Sequence, residues 1–292
     1  MSALPEATAS TEASKPKPRM STRNRILFFF TAWLIVLMPF LFWWNTWFGR
    51  QLSAQQLTEY LQDEKKPRHI QQALVQIGER IDRHDPAVSQ WYGDLVRLAT
   101  HPVEEVRNTD AWVMGQDATS KEASSAGFHE ALLKMLTDPS LTVRGNAALS
   151  LVRFGDATGR PQILELLQSA KVSAPQSGKV IDTSSVGTTI HQGGIVAKLE
   201  DAGQTVDVRS PITGRLRTLF VQTGQALSAG TQIATIDPST EQVWEALRAL
   251  YLVGQPGDLA AITPYERNLP EIPDHIRQQA TETEKAIRTR TK

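Results

Sequence analysis

Apolar positions along the chain fall into four patterns. From Ile26 to Phe48 they run almost unbroken, ILFFFTAWLIVLMPFLFWWNTWF, with no charged residue in 23 positions. At about 1.5 Å per residue such a helix crosses a hydrocarbon core of roughly 30 Å, so the pattern predicts one transmembrane helix over 26–48. Trp43, Trp44 and Trp47 gather at its far end, where indole rings favour the membrane interface, and Pro39 is tolerated as a kink. From 51 to 170 apolar residues recur at helical spacing. Val143, Ala147 and Leu151 share a face and Phe154-Gly155 closes the stripe, glycine suiting a left-handed C-cap. From 171 to 238 short β-branched runs alternate with glycines, which predicts strands and turns. A helical stripe of Val243, Leu247, Leu250 and Tyr251 then occupies 239–263, and Pro, Glu, Arg and Thr over 264–292 predict a mostly extended or disordered polar end.

Capping signals sharpen the helices. Ser53 with Gln56 and Ser239 with Gln242 have the spacing of capping boxes. Asp138-Pro139 reads as a capping carboxylate followed by proline at the first helical position, with 131–136 as the antiparallel partner helix.

Two phrases repeat. His101-Pro102 with Val106-Arg107 and Ala111 parallels Asp138-Pro139 with Val143-Arg144 and Ala148 at an offset of 37, and a weaker echo begins at Pro67-Arg68. A period in the high thirties indicates stacked helical pairs. The motif resembles HEAT repeats, in which an Asp and an Arg six positions apart form a ladder between neighbours. Asp138 and Arg144 have that spacing, whereas His101 replaces the Asp and leaves the ladder incomplete. An irregular helical bundle is the alternative. The second duplication is in the β region: Val172-Ser173-Ala174-Pro175 with Gly178 returns as Val208-Arg209-Ser210-Pro211 with Gly214, and Gly187, Ile190 and Gly193 return as Gly224, Leu227 and Gly230. Paired glycines with alternating apolar residues describe two interlocked sets of strands about a pseudo-twofold axis.

This β motif resembles the biotinyl/lipoyl-type barrel-sandwich hybrid over 172–237. The resemblance implies a hairpin tip at which carrier members hold biotin or lipoate on a lysine. Gly203 stands at that position and Lys198 lies before the turn, so the cofactor expectation is none. The non-carrier branch with this fold, the HlyD-like or membrane-fusion adaptor of bacterial pumps, has a single N-terminal anchor. This chain is similar in topology but lacks the long helical hairpin between half-motifs, and it places helices between anchor and barrel. The expected architecture is therefore multidomain α plus β: a tail over 1–25, a transmembrane helix, a HEAT-like α-solenoid, an all-β barrel-sandwich domain either inserted in that solenoid or separate from it, and C-terminal HEAT-like helices that pack back as a cap, with an independent tail helix as the alternative.

Charge sets the orientation and narrows the chemistry. Lys15, Lys17, Arg19, Arg23 and Arg25 against Glu6 and Glu12 make the tail basic, which predicts a disordered cytoplasmic N-terminus with the remaining domains across the membrane, periplasmic from a bacterial inner membrane. A cleaved signal peptide is the rival reading; the run is long and aromatic and lacks a small-x-small cleavage site. Lys+Arg and Asp+Glu are both 31, so there is no electrostatic footprint for nucleic acid. With Cys 0, thiol catalysis, disulfides and thiolate metal sites are excluded. The six His show no metal-binding spacing, Glu104-Glu105 reads as a dipole-complementing first turn, and Trp91 and Trp112 read as helical core. The expectation is no enzyme and no metal site. The chain reads as a scaffold with the lipid bilayer and other membrane or periplasmic proteins as partners, Gln192, Gly193, Gly194, Glu200, Asp201 and Gln204 forming the contact surface. An accessory subunit or degenerate carrier of a membrane enzyme complex is the alternative.

Overall fold

A computed structural model describes residues 21–47 and 51–290; the expected disordered tail up to residue 20 lies outside the described residues. The chain forms two compact units, 1–51 and 52–292. The first holds α1 (Thr22–Trp47), which starts four residues ahead of the charge-free run and carries Pro39 within it. Its Thr22–Phe40 stretch is long and apolar enough to cross a membrane, by length and composition. The backbones of Trp43, Trp44 and Trp47 belong to α1, but the expected seating of their indoles lies outside the described residues.

The second unit opens with helices α2 (Ala54–Leu61), α3 (Pro67–Asp82), α4 (Tyr92–Leu98), α5 (Glu104–Gln116), α6 (Lys121–Ala126), α7 (Phe128–Met135), α8 (Leu141–Arg153) and α9 (Arg160–Leu166). The starts of α3, α5 and α8 lie 37 residues apart. These three pack side by side in chain order, and α2, α4 and α7 each pack on the helix that follows them. Eight strands then intervene: β1 (Ala170–Ser173), β2 (Gly178–Thr183), β3 (Thr189–Ile190), β4 (Ile195–Asp201), β5 (Gln204–Arg209), β6 (Gly214–Leu219), β7 (Ala226–Leu227) and β8 (Gln232–Pro238). Three helices, α10 (Thr240–Val253), α11 (Leu259–Ile262) and α12 (Asp274–Arg290), complete the chain.

The β module is inserted between the two helices of a fourth pair. α10 packs on α9 and α8, and one apolar core runs from Leu52 through Leu151 and Leu167 to Val243, Leu250 and Ile287, while the strands enclose a core of their own. Insertion is geometrically easy because β1 and β8 are antiparallel neighbours, Ala170 opposite Ile236, so entry and exit are adjacent.

Several local expectations are corrected. Residues 274–290, expected as part of an extended or disordered end, are α12, which lies along α10 with Ile276, Ala280 and Ile287 buried. Thr283 donates to the Leu247 carbonyl at 3.0 Å, and Arg290 donates to the Tyr251 and Gly254 carbonyls that end α10. Cation and helix C-terminus are thus matched. The α8 cap is Ser140 rather than Asp138, with Pro139 ahead of the helix; Asp138 instead accepts the Ser140 N–H at 2.8 Å. The Ser53–Gln56 box closes in both directions. At Ser239 only half the box forms, because the Ser239 N–H donates to the Thr213 carbonyl at 3.1 Å, while the Gln242 amide donates to the Leu166 carbonyl at 2.9 Å and ties α10 to α9. Trp91 is buried as expected, but Trp112 is 38% exposed and lies over Gly78, where a Cβ would meet its ring at 2.9 Å.

Candidate functional site

The β module consists of two four-stranded antiparallel sheets, in the orders β1-β8-β6-β3 and β5-β4-β2-β7. Each sheet combines strands from both halves of the duplication, so neither half can close a core alone. The pseudo-twofold extends to single hydrogen bonds. Gly187 N–H donates to the Leu216 carbonyl at 2.8 Å and Gly224 N–H to the Val180 carbonyl at 2.7 Å. Both glycines have φ near +90° (90° and 93°), a conformation costly for any side-chain-bearing residue. Matching bulges follow Val180 in β2 and Leu216 in β6.

One end of the module is the β4–β5 hairpin. Asp201 faces Gln204, and the two residues between them, Ala202 at φ 48° and Gly203 at φ 79°, are both left-handed, the geometry of a type I′ turn. The four residues 201–204 are exposed, as is Glu200. Among the described residues, neither Glu200 nor Asp201 has an ion-pair partner within 4 Å, although Lys179 stands opposite Glu200 on the neighbouring strand. Lys198 is on β4 opposite Asp207 and Asp182 of the flanking strands, three residues before the turn begins at Asp201.

At the other expected contact, the Gln192 side chain reaches the helices while Gly193 stays exposed. The Gln192 amide donates to Glu104 Oε1 at 2.5 Å and Thr142 Oγ1 at 2.8 Å. Glu104 Oε1 also accepts from Ser140 Oγ at 2.6 Å, and Leu141 packs against the β core. Glu104, read from sequence as a dipole-complementing carboxylate, is therefore also the acceptor that joins barrel, α5 and α8. Its sequence neighbourhood gives no sign of this, because Gln192 is 88 positions away. Gln192 is committed within the chain, Gly193 and Gly194 form its turn, and Glu200, Asp201 and Gln204 lie on the hairpin of β4 and β5.

The repeats are joined by a polar ladder. Arg107 Nε and Nη2 donate to Asp138 Oδ2 and Oδ1 at 2.6 and 3.0 Å, one repeat reaching the next, and its Nη1 donates to the His101 carbonyl at 2.7 Å. Arg144 repeats that backbone contact, to the Asp138 carbonyl at 2.8 Å, and passes on to Glu165 at 2.9 Å. His101 fills the position of the absent Asp: its Nδ1 accepts the Val103 N–H at 3.1 Å, as Asp138 accepts that of Ser140. That contact puts the proton on Nε2, which faces Glu64 at 3.0 Å, poorly aligned for a hydrogen bond. Among the described residues the inter-repeat rung is absent at His101, whose Nδ1 keeps only the local contact to the Val103 N–H. Burial alone would raise the Asp138 carboxyl, but Arg107 and the Ser140 N–H outweigh it and hold the group below its ordinary range.

Two carboxyl groups are pushed upward. Asp110, on the core face of α5, has both oxygens buried without a hydrogen bond, and burial pushes its carboxyl well up. Glu266 is raised to about 7, first by burial and then by sharing a hydrogen bond with Glu284. Among the described residues no group of three or more His, Asp or Glu is placed to hold a metal ion.

Comparison with known proteins identifies the β module as biotin/lipoyl-type: a family model described as "Biotin-requiring enzyme" matches residues 170–236. The chain is 44% identical over 70 residues to the "Putative efflux system component YhbJ" of Bacillus subtilis (strain 168), a match covering 23% of this chain and 31% of that protein. The match therefore spans about a third of the relative's length. Among solved structures, a designed armadillo repeat protein in complex with a (KR)4 peptide superposes with a TM-score of 0.42 at 16% identity, covering 79% of this chain and 80% of that one. A single-chain, multi-domain long-chain acyl-CoA carboxylase gives 0.24 at 18% identity, over 38% of this chain and 10% of the enzyme.

Proposed function

We propose that the chain is a non-catalytic, single-pass membrane scaffold or adaptor, whose HEAT-like helices and lipoyl-like barrel dock the other proteins of a transport or other envelope complex. The observation that carries this reading is the hairpin tip. Where a carrier domain needs an amine to acylate, a two-residue turn of Ala202 and Gly203 offers none, and the exposed carboxylates of Glu200 and Asp201 stand beside it without ion-pair partners. Those groups suit recognition of a basic surface. The 70-residue similarity to an efflux component supports the transport setting. In this reading α1 is the anchor, its apolar side chains from Ile26 to Met38 exposed and in need of lipid, with the basic tail cytoplasmic and the larger unit periplasmic at a bacterial inner membrane.

The family match supports a second reading, an accessory subunit or degenerate carrier of a membrane enzyme complex. The identity of the co-purifying proteins separates the two: transport or envelope components favour the adaptor, and subunits of a membrane enzyme favour the accessory reading. For the adaptor, charge reversal by Glu200→Lys and Asp201→Lys is expected to remove a co-purifying protein while the chain stays folded and membrane-bound. Retention of every co-purifying protein removes the tip from the reading.

A further inference from the structure

Where the chain leaves the helices after Leu167 and re-enters them at Thr240, the two arms of the insertion spread around a cleft of about 800 Å³. The barrel supplies one wall, with Val186, Arg215 and Arg217, and the segment between α11 and α12 supplies the other, with Arg267, Leu269 and Ile272. Clefts of this size at a seam between domains, apolar with a few polar groups, are the usual form of small-molecule sites.

We propose that this cleft binds a small amphipathic organic anion, its acid group held by Arg215 and Arg267 and its apolar body covered by Val186, Leu269 and Ile272. Three arginines and two carboxylates line the cleft. Arg217 and Asp237 neutralise each other at 2.9 Å, and Ser169 Oγ donates to Asp237 at 2.6 Å. Glu271 is an exposed residue of the lining. Among the described residues, the guanidinium groups of Arg215 and Arg267 have no carboxylate or carbonyl partner, and with the Glu271 carboxylate the unpaired lining groups sum to +1, with guanidinium donors on both walls. Val186 is 59% exposed and Leu269 45%, leaving apolar surface on both sides of the gap. The far wall is held in place, because Tyr265 Oη donates to the Leu167 carbonyl at 2.5 Å. Sign excludes the chain's own N-terminal segment as occupant: Lys15, Lys17 and Arg19 outweigh Glu6 and Glu12 there. The assignment is independent of the adaptor reading, since it needs neither a partner protein nor the hairpin tip.

The test uses the full chain in phosphatidylcholine nanodiscs, titrated calorimetrically with phenylbutyrate and with the uncharged phenylbutanol, empty nanodiscs serving as the blank. Saturable binding of one equivalent of the acid is expected, with the alcohol about tenfold weaker or more, the scale of one charge-assisted hydrogen bond. Arg215→Gln with Arg267→Gln is expected to weaken the acid to the level of the alcohol without altering thermal unfolding. Arg248→Gln, outside the cleft, is expected to leave binding unchanged. Equal affinity for acid and alcohol, indifference to the double variant, or no saturable heat overturns the proposal. An acidic peptide that binds where phenylbutyrate does not overturns it equally, and assigns the arginines to a protein partner.

Discussion

Replacing Arg107 by Ala tests whether the helical region is a stack of coupled repeats. The side chain is 12% exposed and its partner Asp138 8%. Losing it removes a two-point ion pair at 2.6 and 3.0 Å and leaves Asp138 with the Ser140 N–H. Stranding one member of a buried ion pair costs about 3–5 kcal/mol. Because Ser140 and the nearby Arg144 still favour the carboxylate, the lower end, about 3 kcal/mol, is expected. The assay is urea unfolding followed by helical circular dichroism, with Asp138→Ala and the double variant completing a cycle. The double variant is expected to be more stable than the sum of the single losses implies, by about 2 kcal/mol, because it strands no charge. The folded Asp138 carboxyl lies below its unfolded value, so its stabilisation is full above the ordinary carboxylate range and is lost as pH falls through the depressed folded value. Coupling should therefore be equal at pH 7 and 5 and decline only below the ordinary aspartate pKa of about 3.9. An Arg107→Ala cost below about 1 kcal/mol, the size of a surface pair, would refute the ladder as a source of cohesion.

Three further outcomes follow from the packing. Asp110→Asn should stabilise the protein more at higher pH: the folded carboxyl is raised, so the native chain loses stability as pH rises through that folded value, and the difference between the two proteins should shrink in acid. Denaturant titrations across pH would show it, and a constant difference would contradict it. Ile287→Ala, at a fully buried position of α12, should cost about 2–4 kcal/mol, visible as an earlier loss of helical signal; no cost would mean that the C-terminal helix does not share the repeat core. Gln192→Ala should speed amide exchange at 192–194 and at the start of α8 while costing about 1 kcal/mol globally, and unchanged exchange would show that the Glu104 contact does not hold the barrel.

Legibility in the sequence followed the density of the repeating signal. Each half of the β duplication carries Pro, Gly and β-branched residues at fixed offsets, because turns with φ near +90° and pleated strands leave few alternatives, and the structure has matching bonds at Gly187 and Gly224. The period of 37 was equally plain, since the starts of α5 and α8 repeat a whole phrase. By contrast, α12 shows an apolar stripe of only Ile276, Ala280 and Ile287, with Thr283 between them using its hydroxyl on the Leu247 carbonyl. Such a helix forms because it has a partner surface, and propensity or periodicity alone does not reveal it. The same holds for Glu104 and Gln192, and for Arg215 and Arg267, which only the path of the chain brings together. His101 shows the converse case, in which a changed residue type signalled the missing rung, and imidazole Nδ1 takes over only the local contact of the carboxylate, to the Val103 N–H.

The most direct measurement of the central claim is mild detergent extraction of the native membrane, purification through a C-terminal tag, and quantitative mass spectrometry of everything retained. The adaptor account predicts one or more transport or envelope proteins in stoichiometric amounts, and a chain of unmodified mass. A solitary monomer, or a chain bearing biotin or lipoate, would contradict it.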